Sequence, residues 1–388
     1  MGPLYPGSVQ CDYYDAGACR SCTLMGTPYA GQLADKQTRA ARSLEAHVPA
    51  SAWHAPQANR EAGFRNKAKL AVGGRRGAPT VGILDGDGRG VDLRRCGLYE
   101  PGLAEAVLAL PDLLGEAGLT PYDVPGRQGE LKHVLMTRSP DGELMVRLVL
   151  RSPGQRRRVL ELLPELRSRL PGTRVVSVNL QPEHKAVLEG PDEEVLTAES
   201  TLPMRIDDLT LHLRPRSFFQ TSTPMAAALY RQARTWIEEA SPEVLWDLFC
   251  GVGGFALHAA GPGREVLGVE ASADAVASAR VGAAALAGRG PVRFEVGDAT
   301  AYLSPGRRPT GEAPPDLVVV NPPRRGIGAL AADLEAARVP RVLYSSCNPV
   351  SLARDLALMP GYRVGRARLF DMFPQTAHAE VLVELERR

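Results

Sequence analysis

From residue 244 onward the chain alternates short apolar runs with stretches of helical spacing. VLWDLF (244–249), REVLGVE (264–270), PVRFEVGD (291–298), PDLVVVNPP (315–323) and PRVLYSS (340–346) have the length and β-branched content of buried strands. Ala-rich segments such as SADAVASARVGAAALAG lie between the early ones and read as helices. GYRVGRARLFD (361–371) and AEVLVELE (379–386) follow as a pair, with only a short link containing FPQTAH between them. That pair predicts an antiparallel hairpin at a sheet edge. The alternation predicts an α/β, Rossmann-like domain with a seven-stranded, doubly wound sheet over residues 206–388. Such sheets bind their ligands at the carboxyl ends of the strands.

Composition narrows the class. The 388 residues are 44% hydrophobic and 23% charged, with a net charge of +2, which reads as a globular protein of two or three domains. A nucleic-acid surface would therefore be local. Candidate basic clusters are Arg65, Lys67 and Lys69, then Arg75 and Arg76, then Arg156, Arg157 and Arg158. The last group reads as solvated arginines. The opening MGPLYPGSVQ has neither a basic region nor an apolar core, so no secretory signal is expected. No run approaches the roughly 18 apolar residues of a membrane span. The expected setting is the cytoplasm, without membrane association, where thiols stay reduced.

That expectation bears on the six cysteines. Cys11, Cys19 and Cys22 form a C-x7-C-x2-C run in CDYYDAGACRSC, and Cys96 stands alone in VDLRRCGLYEP. The run is too local and too polar for packing. Four thiolates suit a 4Fe–4S cluster or a structural zinc ion. One C-x2-C pair with two single thiols favours iron–sulfur over zinc, whose sites more often use paired knuckles. Residues 1–100 thus read as an N-terminal segment carrying a four-cysteine cluster site.

The first strand of the α/β domain ends in DLFCGVGGF. A glycine-rich turn into a helix lets the backbone approach a ligand closely. Glu270 ends the second strand, where a carboxylate can take two ribose hydroxyls. Asp298 ends the third, beside an expected adenine, with a helix N-cap as its alternative role. The full dinucleotide fingerprint is missing and Asp247 precedes the glycines, which favours S-adenosylmethionine. Cys347 sits where the fifth strand gives way to a loop. Two readings stand side by side there: a small buried hydrophobe, or a nucleophile at a strand's carboxyl end.

The motifs SFFQT (217–221), DLFCGVGGF (247–255), NPPR (321–324), SSCN (345–348) and FPQTAHAE (373–380), with FRNKAK near residue 64, occur in an order that resembles the RNA 5-methyluridine methyltransferase family over almost the whole chain. CDYYDAGACRSC, GELKHVLMTRS, VRLVLRS and VSVNLQPEHKAVLEG are most similar to the branch acting on uridine 747 of 23S ribosomal RNA. Asn321 at the head of NPPR also matches that branch, where the wider family has Asp.

The resemblance implies S-adenosylmethionine-dependent methylation of a uridine at C5 in 23S ribosomal RNA. It assigns Cys347 as the nucleophile that adds to uracil C6 and Glu380 as the base, with His378 a competitor on chemistry alone. Cofactor contacts fall on Gln220, Phe249, Gly251, Glu270, Asp298 and Asn321, and cluster ligation on Cys11, Cys19, Cys22 and Cys96. Cys250, inside the cofactor turn, reads as packing, and Phe218 with Phe219 as core. Residues 101–205, or from near residue 60, are expected to form a mostly β central domain that contacts RNA. A monomer is expected. The rival readings are another uridine in ribosomal or transfer RNA, and a non-catalytic RNA-binding protein with a structural metal site.

Overall fold

The computed structural model describes residues 9–388 except 186, 287 and 304–312. The first eight residues of the MGPLYPGSVQ opening thus lie outside the described residues. The described residues begin with one helical turn, α1 (Asp12–Asp15), and a long helix, α2 (Tyr29–Ser43). Strands β1 (Lys67–Arg75), β2 (Ala78–Leu84) and β3 (Gly90–Asp92) precede helix α3 (Pro101–Glu116). Then come β4 (Leu131–Arg138), β5 (Leu144–Leu150), α4 (Arg156–Arg169), β6 (Thr173–Leu180) and β7 (Asp192–Val195). A hairpin, β8 (Leu202–Ile206) and β9 (Leu209–Leu213), leads to α5 (Thr223–Ala240). The remainder runs β10 (Val244–Leu248), α6 (Gly254–Ala259), β11 (Glu265–Glu270), α7 (Ala273–Ala284), β12 (Val292–Val296), β13 (Leu317–Val320), α8 (Ala329–Ala337), β14 (Arg341–Ser346), α9 (Pro349–Ala357), β15 (Tyr362–Phe370) and β16 (Glu380–Arg387).

Two compact units result. One comprises residues 22–60 and 206–388, the other 10–21 and 61–205. The sequence division at residues 100 and 205 differs from this at its first boundary. Leu44, Val48 and Ala52 are buried in the same core as Trp246, Val318, Val320 and Tyr344. The apolar side of this early segment therefore belongs to the α/β unit.

In that unit the seven strands follow the order β12-β11-β10-β13-β14-β16-β15. All neighbours are parallel except β16, which runs antiparallel to β14 and β15. The central strand β13 is LVVV, fully buried, as expected of a strand covered on both faces. The hairpin read from the sequence is β15–β16, with β15 at the edge. That edge is covered by residues 53–57: the His54 N–H donates to the Ala367 carbonyl at 2.8 Å and the Gln57 N–H to Leu369 at 2.7 Å.

The second unit holds a sheet of order β3-β2-β1-β4-β5-β6-β7, antiparallel except for β5 and β6. That parallel pair requires a crossover, and α4 supplies it. The domain is not only β. Leu103, Val107, Leu110 and Leu114 of α3 recur at helical spacing and are buried with Val159, Leu162 and Leu166 of α4 against the sheet. Among the described residues no helix is long and apolar enough to cross a membrane.

Candidate active site

β10 delivers the chain into a sharp turn. Phe249 takes a left-handed φ of 69°, rare for an aromatic residue, and Gly251 and Gly253 follow at 54° and 88°. A Cβ on Gly253 would lie 2.9 Å from the Phe294 ring, whereas one on Gly251 would meet nothing within 4 Å. Gly253 is thus needed for packing, and Gly251 opens onto free space. Glu270, at the end of β11, accepts hydrogen bonds from the N–H groups of Gly251 at 3.2 Å and Ser272 at 3.0 Å. A carboxylate with two such donors still has acceptor capacity. Asp298 accepts from the Thr300 N–H at 2.9 Å and its hydroxyl at 2.6 Å, so the capping contact is present.

Beneath the turn Asp247 is fully buried. One carboxylate oxygen accepts the Ala256 N–H at 2.9 Å and the other has no protein partner. Burial pushes its pKa up to about 8. Cys250 is buried against Gly268, and burial pushes its thiol well above the ordinary value. That environment suits packing rather than nucleophilic attack. Gln220 is buried and Asn321 half-buried. The expectation of a core pair at Phe218 and Phe219 needs correction. Phe219 is 4% exposed, but Phe218 is 73% exposed.

A second constellation lies at the ends of β14 and β16. Their ladder closes with Ser346 opposite Val381, so the next facing positions are Cys347 and Glu380. Glu380 is 3% exposed, and the Ser345 hydroxyl donates to its Oε1 at 2.5 Å. Burial raises its pKa to about 7, against the Ser345 hydrogen bond, which lowers it. Burial and then the Glu380 charge raise the Cys347 thiol, while Arg324 opposes them. Cys347 also precedes Asn348, the N-cap of α9, whose positive end favours a thiolate. The Asn348 amide donates to the Arg324 carbonyl at 3.0 Å, joining the NPPR and SSCN loops. Cys347 opens into a cavity of about 200 Å3 whose walls include Lys36, Arg39, Arg324, Asn348 and His378.

The cysteines at the start of the chain divide between the units: Cys11, Cys19 and Cys96 in one, Cys22 in the other. The Arg95 N–H donates to the Tyr13 hydroxyl at 3.1 Å, which ties the Cys11–Cys19 stretch to the segment carrying Cys96. Burial raises the Cys96 thiol, and Cys11 and Cys19 are near enough to add to the shift. Among the described residues no three His, Cys, Asp or Glu side chains gather at metal-ligating spacing. Thiolates are suitable donors for a cluster, but the described side chains do not come together as a ligand set.

The comparisons with known proteins bear on the whole chain. A family profile described as tRNA (Uracil-5-)-methyltransferase matches residues 314–388, which hold both Cys347 and Glu380. The 23S rRNA (uracil(747)-C(5))-methyltransferase RlmC of Yersinia pseudotuberculosis serotype I is 46% identical over 383 residues, covering 98% of this chain and 100% of that protein. Its counterpart from Yersinia pestis (strain Pestoides F) has the same identity and coverage. The chain belongs to the RNA uracil-C5 methyltransferase family. The crystal structure of Pyrococcus abyssi tRNA (uracil-54, C5)-methyltransferase in complex with S-adenosyl-L-homocysteine has the same fold, with a TM-score of 0.76 at 24% identity over 94% of this chain and 85% of that one.

For a methyltransferase of this family the glycine turn passes a test of fit. The open space over Gly251, the orphaned Asp247 oxygen and the Glu270 carboxylate leave room and polar partners for S-adenosylmethionine. The sequence reading missed three groups beside the family's site: Ser345, which holds Glu380, and the buried pair Lys36 and Asp371. Gln32, Lys36 and Ala40 recur every four residues and are the buried positions of α2, so polar side chains occupy the face that packs inward.

Proposed function

We propose that this chain methylates C5 of a uridine in 23S ribosomal RNA, uridine 747 by similarity to its relatives, using S-adenosylmethionine. The observation that carries the reading is the meeting of Cys347, which lines the cavity, with the buried Glu380 at adjoining strand ends, one step beyond the Ser346–Val381 pair. S-adenosylmethionine, when bound, supplies an electrophilic methyl group. Gln220, Phe249, Gly251, Glu270, Asp298 and Asn321 hold it. The target base is splayed out of its RNA fold to reach the half-buried thiol. The Cys347 thiolate adds to uracil C6 and moves electron density to C5, which becomes the nucleophile. After C5 is methylated, the Glu380 carboxylate takes the C5 proton. The electrons of that C–H bond restore the C5–C6 double bond and expel the Cys347 thiolate. A thiolate serves both as soft nucleophile and as leaving group, which a serine alkoxide does not.

Glu380 must be ionised to act, and its pKa of about 7 lies near the working pH of a general base. The initial rate should therefore rise as pH increases through about 7. A 4Fe–4S cluster on Cys11, Cys19, Cys22 and Cys96, with zinc the alternative metal, would act as an architectural tie. The second unit would contact the RNA. We read the protein as a cytoplasmic monomer. The test combines unmodified 23S rRNA with labelled S-adenosylmethionine and maps the methyl group. Label at C5 of one uridine, lost in Cys347→Ala, is the expected result. Label surviving in that variant would overturn the thiol mechanism, and label only on transfer RNA would overturn the substrate.

A further inference from the structure

The first residue of β16 is Glu380, so its position depends on the loop 371–379 that leads into it. That loop is held from outside. The Lys36 ammonium donates to Asp371 Oδ1 at 2.6 Å and to the Phe373 carbonyl at 3.0 Å. One turn earlier, Gln32 accepts the Gln375 N–H at 3.0 Å and donates to the Gln375 side-chain oxygen at 2.9 Å. The Leu24 N–H donates to the Gln375 carbonyl at 3.0 Å. Gln375 itself has a left-handed φ of 67°, a conformation that must be stabilised by its surroundings. Gln32 and Lys36 are 0% and 2% exposed. Filling this face with apolar residues would pack as well; buried ionic and amide contacts add one thing, a single fixed arrangement of the loop. Lys36 also lines the cavity over Cys347.

We propose that Lys36 and Gln32 of α2 are positioning residues, which fix the 371–379 loop and through it the place of the Glu380 carboxylate relative to Cys347 and the base it attacks. The N-terminal helix is then part of the catalytic apparatus. This rests on the covalent reaction proposed above, in which a misplaced base leaves the methylated RNA attached to Cys347.

The test uses the full chain, unmodified 23S rRNA and labelled S-adenosylmethionine. It reads kcat, KM for RNA and the fraction of enzyme held as a denaturation-resistant, labelled RNA adduct. Lys36→Met/Asp371→Asn removes the tether without leaving a buried charge unpaired. Its kcat should fall about 10²-fold, the order expected for a misplacement near 1 Å, with KM little changed and the adduct accumulating. Gln32→Leu should show the same pattern to a smaller degree, and it keeps the proposal testable if the double variant does not fold. Glu380→Gln is the control. Adduct in Glu380→Gln but not in the folded tether variants overturns the positioning role alone. No adduct in Glu380→Gln overturns the covalent reading and this inference with it. A loss confined to KM assigns α2 to RNA binding and likewise overturns the positioning role.

Discussion

Arg147 in the second unit and the carboxylates Glu380 and Asp247 in the α/β unit hold buried charge in opposite ways. In the second unit Arg147 is 2% exposed, yet it is saturated. Its Nε donates to both Glu193 oxygens at 2.8 Å, and its terminal nitrogens pair with Glu189 and Glu193. Glu193 also accepts from the Ser177 hydroxyl at 2.7 Å and the Asn179 amide at 2.9 Å. In the α/β unit, Glu380 has one hydroxyl donor and Asp247 one N–H. Burial lifts their pKa values to about 7 and about 8. A saturated network fixes structure. A carboxylate kept short of partners binds its proton more tightly than a free one, so that it exchanges it near neutral pH, as an acid–base group must.

The contrast is sharpest at Cys347, the nucleophile of the proposed reaction. Cys347→Ala should reduce methyl transfer roughly 10⁴-fold or more, as loss of a covalent nucleophile does, and leave unfolding nearly unchanged. A scintillation assay and a urea titration on one preparation measure both. Arg147→Met should do the reverse. It strands Glu189 and Glu193 around a vanished cation, and loss of one partner from a buried pair costs about 3–5 kcal/mol. The urea midpoint should drop while kcat of the remaining folded protein holds. A stable Arg147→Met protein would break the comparison, since its network would then be no more than surface decoration.

These two classes of residue differed in how legible they were. The seven strands of the α/β unit could be read because strands buried on both faces make uninterrupted apolar runs bounded by turn residues. The strand-end positions of Cys347 and Glu380 could be read because each lies inside a motif that follows or opens an apolar run. The α3 and α4 helices were missed in favour of strands, although Leu103, Val107, Leu110 and Leu114 carry the helical period. The placement of residues 22–60 was also missed. Its cause is a set of long-range contacts, such as Lys36 to Asp371, and no local pattern encodes a partner more than 300 residues away. Phe218 failed for another reason: an aromatic pair looks like core, but in this irregular segment only Phe219 of the two is buried.

A smaller effect follows from the sign of the Glu380 shift. Its folded pKa of about 7 lies above the value near 4.5 of a free glutamate. The folded state therefore binds the proton more tightly. The group costs no stability below about pH 4, and the cost grows as pH rises from there through about 7. Glu380→Gln removes the charge, so above pH 7 it should be more stable than the wild type by about 1–3 kcal/mol, allowing for one buried amide. Urea midpoints at pH 5 and pH 8 measure it. The gap between the proteins should widen with pH, while activity is lost. An unchanged gap would mean that Glu380 is paired in solution as well as Glu193 is.

The smallest expected effect concerns charges that are neither saturated nor starved. Arg157 and Glu161 pair at 2.8 Å on the surface of α4, with side chains 89% and 60% exposed. Water screens such a pair, and the entropy of holding two long side chains offsets most of its attraction. Arg156 is bound to Glu194 in a similar exposed pair. The run of three arginines, although the densest basic cluster in the chain, thus has its charge partly answered by acids of the same unit. Arg157→Ala should leave the urea midpoint and KM for RNA unchanged within error. If KM rises and its dependence on salt weakens, this end of α4 touches phosphate. In that case an exposed ion pair is the resting state of an RNA contact, and exposure alone does not mark a charge as idle.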